Sequence, residues 1–197
     1  QLRRAELLED PAERIAVLDK LGILYSGKLN RADAATEIWK RLLTEDPSHQ
    51  KAQTELRKKY TAEHDWEQLE WFFRTYSTVA EWIRTLESQL KKVEDPGEKQ
   101  TLLLVVAQAW LTELGDQRRA VKSLEGILEL DPSNVNAAEM LIPIYRELNA
   151  WKKLPEVYDV VLEATSDTHS RLALLLAKAE ILESHLRDAE ASFFAYL

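Results

Sequence analysis

The side chains best equipped for chemistry in this chain are its histidines, its carboxylate clusters and its tryptophans. Their spacing decides what each can do. His49, His64, His169 and His185 stand apart, with no His-Glu-x-x-His pair and no other ligand spacing, so they read as surface or helix-end residues and not as metal ligands. Glu63, Asp65 and Glu67 have the chemistry of a general acid–base site, but in a chain with 30% charged residues such clusters fall on solvated helix faces. Five scattered glycines cannot build a phosphate cradle, and neither a Gly-x-Gly-x-x-Gly loop nor a Gly-x-Ser-x-Gly nucleophile turn occurs. Cysteine is absent, which removes disulfides, thiolate nucleophiles and Cys-based zinc sites and leaves the redox compartment open. No catalytic residue, metal or cofactor is expected.

Aromatic residues are the stronger lead. Trp66 and Trp151 each open a helix and are expected to pack across the preceding turn, while Trp39 takes a large core position. The run Trp71-Phe72-Phe73 with Tyr76 covers most of one helix, so it is expected to be buried, with a partner-binding patch as the alternative. Pro143 lies inside "AEMLIPIYREL", where it removes one backbone donor, frees the Glu139 carbonyl and should bend the helix. The freed carbonyl is either a ligand contact or a by-product of a change in curvature.

The elements that must position these residues are helices. Leu, Ala, Glu and Lys dominate, Gly and Pro are few, and 45% of 197 residues are hydrophobic, enough for a core or a continuous ribbon of core. A formal charge of −8 argues against nucleic acid or an anionic membrane as the main partner. The basic pairs Arg3-Arg4, Lys58-Lys59, Lys91-Lys92, Arg118-Arg119 and Lys152-Lys153 read as solvated faces among acidic neighbours. No apolar run approaches the ~18 residues of a membrane span. The chain starts at Gln1 without a signal-peptide pattern, so it reads as a piece of a longer protein; the compartment stays open, with the cytoplasm favoured.

Repetition organises the chain. Residues 9–76 align with 94–161 without a gap at a shift of 85, pairing Asp10 with Asp95, Pro11 with Pro96, Ala35 with Ala120, Asp46-Pro47-Ser48 with Asp131-Pro132-Ser133, Tyr60 with Tyr145 and Trp66 with Trp151. Segments 12–27, 31–45, 48–63, 66–77, 96–113, 116–130, 133–148 and 150–165 carry apolar residues at helical spacing. The segment 78–94 is an additional helix opened by a Thr78/Glu81 capping box, unless 66–93 runs as one helix. A third copy begins near Asp167, where "LALLLAKAEI" echoes "LLLVVAQAWL". Super-repeat boundaries are expected near 9–93 and 94–166, with a partial third over 167–197, all in one domain. The Asp-Pro pairs at 10–11, 46–47, 95–96 and 131–132 read as an N-cap followed by the first helical residue.

Leu18-x2-Leu21-Gly22-x2-Tyr25, then Ala35-x3-Trp39, then Pro47 resembles the tetratricopeptide repeat, and the 34-residue spacings from Ala35 to Leu69 and from Ala120 to Leu154 extend the resemblance over nearly the whole chain. It implies an all-α, right-handed superhelical solenoid of antiparallel helix pairs, with the extra helix inserted around 78–94. It also implies a concave groove lined by the first helix of each pair, holding a peptide or helical segment of a partner. Transferred position by position, that groove comprises Lys51, Thr54, Lys58 and Thr61 on 48–63. On 96–113 it comprises Leu102, Val105, Ala109 and Thr112, and on 133–148 Asn136, Glu139, Pro143 and Arg146. Asp19, Ile23 and Ser26 are less well placed, because one extra residue follows Tyr25. The family's Lys/Asn/Arg clamp for chaperone carboxyl tails is missing, with Asp19, Ile23, Val105 and Ala109 at its positions. The resemblance implies a non-catalytic protein-binding scaffold, with an RNA-processing scaffold of the half-repeat kind and a regulatory segment of a larger enzyme as alternatives. Phe193, Phe194, Tyr196 and Leu197 are expected to be uncovered, and to pack on further repeats or on a second copy.

Overall fold

The computed structural model describes residues 8–29 and 31–196. All its regular elements are helical, with no strand among the described residues. Contacts divide the chain into two compact units, Gln1–Thr85 and Leu86–Leu197. In both, most helices pack on their neighbours in sequence, the pattern of a helical repeat.

In the first unit, α1 (Pro11–Ile23) continues into a π turn, Leu24–Lys28, which takes up the extra residue after Tyr25. Next come α2 (Ala32–Glu45), α3 (Gln50–Ala62), α4 (Trp66–Tyr76) and the start of α5 (Val79–Leu90). Leu18, Leu21, Ile38, Trp39, Leu42, Leu56, Leu69 and Phe73 are buried, at the helical spacing that the sequence shows. Gly22 lets α1 approach α2 closely, since a Cβ there would stand 2.4 Å from Cη2 of Trp39. The helices 66–76 and 79–90 are separate. Ser77 breaks them in a non-helical conformation (φ −148°, ψ −144°), Thr78 Oγ1 accepts from the Glu81 N–H at 3.3 Å, and the Ser77 hydroxyl donates to the Glu81 carboxylate. The capping interaction is therefore shared between Ser77 and Thr78.

The second unit holds α6 (Pro96–Thr112), α7 (Gln117–Leu130), α8 (Val135–Glu147), a 3₁₀ turn at Trp151–Lys153, α9 (Leu154–Ala164), α10 (Thr168–Ile181) with a π turn at Leu182–Leu186, and α11 (Ala189–Tyr196). One core runs through Val121, Leu124 and Ile127 of α7, Leu141 and Tyr145 of α8, and Leu154, Val157 and Val161 of α9. Asp167 caps the third copy through the Ser170 N–H at 2.8 Å. The expected helix from residue 150 is a 3₁₀ turn and then an α-helix. Ala150 supplies no capping side chain where Asp65 does in the first unit, and Pro155 has no N–H to donate.

Only two of the four Asp-Pro pairs act as N-caps. Asp10 accepts from the Ala12 N–H at 3.0 Å and Asp95 from the Glu98 N–H at 2.8 Å, each with proline in the first turn. Asp46 and Asp131 instead end α2 and α7. Each side chain takes the N–H and hydroxyl of the serine two residues on (3.0 and 2.7 Å from Ser48; 3.1 and 2.7 Å from Ser133). The His49 and Asn134 N–H groups then close the turns on the Asp46 and Asp131 carbonyls at 3.2 and 3.1 Å. The capping role passes to His49 Nδ1, accepting from Ala52, and to Asn134 Oδ1, accepting from Ala137.

Candidate protein-interaction surfaces

α3 presents Lys51, Thr54 and Lys58 on one exposed face, with Thr61 half-buried below them. Ala52, Leu56 and Tyr60 on the opposite side are buried, and this fixes the rotation of the helix. Lys58 borders a cavity of about 240 Å³ between α2 and α3, whose wall includes Thr36 and Trp39. Lys59 beside it is engaged by Asp33 at 2.9 Å and Glu63 at 2.7 Å, and the Glu63 contact chiefly raises its pKa. Lys51 and Lys58 have no ion-pair partner among the described residues. The Thr54 hydroxyl donates to the Gln50 carbonyl at 2.8 Å, so it offers a lone pair outward but not its proton.

On α8, Asn136, Glu139, Pro143 and Arg146 are all exposed, while Ala137, Ala138, Leu141, Ile144 and Tyr145 are buried. The helix runs without interruption through Pro143. Arg146 is already held, since its guanidinium donates to the Tyr158 hydroxyl at 2.8 Å and lies 6.0 Å from that ring's centroid.

The α6 row is corrected. Leu102 and Ala109 are 0% and 1% exposed, Val105 is half-buried, and only Thr112 is exposed. The helix is apolar on more than one side: Leu103 and Ala107 enter the second-unit core, and the separate stripe Leu102, Val106, Ala109 is buried as well. In the first copy Asp19 is half-buried, Ile23 and Ser26 are exposed, and the Ser26 hydroxyl donates to the Gly22 carbonyl at 2.8 Å. The aromatic run divides too: Phe72 and Phe73 are buried, whereas Trp71 is 40% exposed.

Histidines take structural positions. His49 caps α3, His64 stacks on Trp66 at 5.3 Å, and His185 stacks on Trp151 at 3.7 Å. Among the described residues no cluster of metal-ligating side chains occurs and no helix is long and apolar enough to cross a membrane. Phe193, Phe194 and Tyr196 on α11 are 60%, 65% and 52% exposed; Leu197 lies outside the described residues, as do Arg3 and Arg4.

A feature not anticipated from the sequence is a cleft of about 500 Å³ in the second unit, walled by Leu128, Pro132, Val157 and Val160. At its base the Tyr145 hydroxyl donates to Glu125 at 2.7 Å and the Lys153 ammonium pairs with the same oxygen. Burial pushes the Glu125 carboxyl up, but the bonds from Lys153 and Tyr145 outweigh this and hold it below the ordinary value. Burial, then Glu125, pushes the Tyr145 phenol well up. The signal was present in the 85-residue register, where Lys40 and Gln68 align with Glu125 and Lys153.

No family model and no curated protein matches the chain. Among solved structures it is similar to PilF of Pseudomonas aeruginosa, at 17% identity and a TM-score of 0.44 over 93% of this chain and 90% of that one. It is also similar to the MamA protein, at 14% identity and a TM-score of 0.41, again over 93% and 90%. The helical-repeat fold accordingly rests on the chain's own helix order, its 85-residue register and its matching buried positions.

Proposed function

We propose that the chain is a non-catalytic protein-interaction scaffold that holds a peptide or helical segment of a partner on the exposed faces of its first helices. The observation that supports this best is the α3 face. Lys51 and Lys58 are exposed with no ion-pair partner among the described residues, and Lys58 lines the α2–α3 cavity together with Trp39. Such a face suits a segment with an apolar anchor and nearby acidic residues. On α8 the exposed row Asn136, Glu139, Arg146 is mixed in charge and favours a polar segment. Of the α6 row, the half-buried Val105 and the exposed Thr112 remain candidates.

The test is selection of peptides from a displayed library, followed by fluorescence anisotropy with the chain and its variants. Acidic amphipathic peptides are expected, with affinity reduced about tenfold, or about 1.4 kcal/mol, by Lys51→Glu plus Lys58→Glu. Affinity should be unchanged by Glu163→Lys on the exposed side of α9. Equal binding by all these variants would remove the assignment. Binding of an RNA oligonucleotide that weakens steeply with salt would replace it with a nucleic-acid role.

A further inference from the structure

The cleft at Tyr145 has a counterpart in the first unit, residue for residue at a shift of 85, and the two are filled differently. In the first unit Lys40 Nζ lies 5.9 Å from the Tyr60 ring centroid and 5.8 Å from that of Trp71, and donates to Gln68 Oε1 at 3.4 Å. The Trp71 indole therefore stands over the cation beside Tyr60, braced edge-on by Tyr76 at 5.7 Å. In the second unit Glu125 replaces Lys40, Lys153 replaces Gln68, and Glu156 stands where Trp71 does. Val157 replaces the larger Phe72, and Glu129 replaces Thr44. The second unit thus lacks the indole, while Lys153 Nζ, 5.6 Å from the Tyr145 ring centroid, stands where Lys40 stands over Tyr60; the apolar walls Leu128, Val157 and Val160 remain around about 500 Å³.

The rim chemistry is one-sided. Lys153 is committed to Glu125, while Glu129 and Glu156 are exposed and have no ion-pair partner among the described residues. We propose that this cleft binds an aromatic side chain, preferably an indole, from a partner segment that carries a lysine or arginine next to it. The ring would occupy the space that Trp71 fills in the first unit, and the partner's cation would meet the exposed carboxylates of Glu129 and Glu156. A cleft of this size lies within the range of specific small sites, and three carboxylates, Glu125, Glu129 and Glu156, line it against the single cation of Lys153. Its walls come from α7, α9 and the inner side of α8, so it stands independently of the exposed faces of α3 and α8.

The test is an NMR titration of the full chain with the blocked peptide Lys-Trp-Lys, following the methyl groups of Leu128, Val157 and Val160. Saturable shifts at these methyls are expected. Lys-Ala-Lys and Glu-Trp-Glu should bind at least about tenfold more weakly. Glu156→Trp, which restores the first unit's indole, should weaken binding of Lys-Trp-Lys by at least about tenfold. If that variant does not fold, Glu129→Gln plus Glu156→Gln decides the matter: binding should weaken and lose most of its salt dependence. Lys-Ala-Lys binding as tightly as Lys-Trp-Lys, equal binding to the wild type and these variants, or no shifts at the cleft methyls would each overturn the proposal.

Discussion

Gly22 and Trp39 are expected to behave as one packing unit, and the second copy shows what the alternative looks like. A Cβ on Gly22 would lie 2.4, 2.5 and 2.6 Å from three atoms of the Trp39 ring, far inside contact distance, and Trp39 is buried. Forcing an extra carbon into a packed core costs about 1–3 kcal/mol, while exchanging glycine for alanine inside a helix returns up to about 1 kcal/mol. With a clash this close the steric term wins, and Gly22→Ala should destabilise by about 1–2 kcal/mol. Trp39→Leu leaves a cavity and should cost about 2–4 kcal/mol, somewhat less than full truncation to alanine. At the equivalent positions the second copy has Ala107 with Leu124, both buried. The double variant rebuilds that pair, so the added methyl enters space that the indole has vacated. Its loss should fall short of the sum of the single losses by at least about 1 kcal/mol. Urea unfolding followed by circular dichroism measures all four proteins without relying on the tryptophan signal being changed. A neutral Gly22→Ala, or losses that add within about 0.3 kcal/mol, would refute the packing argument.

The two copies should also answer differently to the same small change. The Tyr60 hydroxyl is buried with no hydrogen-bond partner among the described residues, whereas that of Tyr145 donates to Glu125. Tyr60→Phe should therefore leave urea stability unchanged or raised, and Tyr145→Phe should lower it by about 1–2 kcal/mol. Burial, reinforced by nearby acids, pushes the Tyr60 phenol up to about 12. The folded state thus holds this proton more tightly than the unfolded chain, so the linked stability is complete below pH ~10 and is lost as pH rises from there toward 12. Thermal melts at pH 9 and 11 should show a smaller alkaline loss in Tyr60→Phe. Asn134→Ala should cost about 0.5–2 kcal/mol by uncapping α8, and His49→Ala should act likewise on α3; unchanged urea midpoints would show that the caps are misassigned. Phe193→Ser with Phe194→Ser should reduce concentration-dependent association in sedimentation without lowering the melting temperature, because both rings are mostly exposed.

Helix positions were legible because the apolar spacing, the caps at Asp10 and Asp95 and the 85-residue register all agree on them. The separate helix at 79–90 was signalled by Thr78 and Glu81, although Ser77 shares the cap. Asp-Pro was harder to read, since the same dipeptide caps a helix or ends one according to the residue after the proline. Ser48 and Ser133 divert the carboxylates at 46 and 131 into turns, whereas Pro11 and Pro96 lead straight into helices. Leu102 and Ala109 were misplaced because a motif fixes which side of a helix faces its pair but not how many further sides are covered. The cleft escaped notice because no motif marks it; it arises from the loss of a large side chain, Trp71 against Glu156, at one position of an otherwise matched pair of repeats.

The central claim is that partner segments lie on the exposed first-helix faces, and amide NMR of the full chain with a library-selected acidic peptide addresses it most directly. The largest shifts are expected at Lys51, Thr54 and Lys58, abolished by Lys51→Glu plus Lys58→Glu. Shifts confined to α11, or shifts on α3 that persist undiminished in that variant, would contradict it.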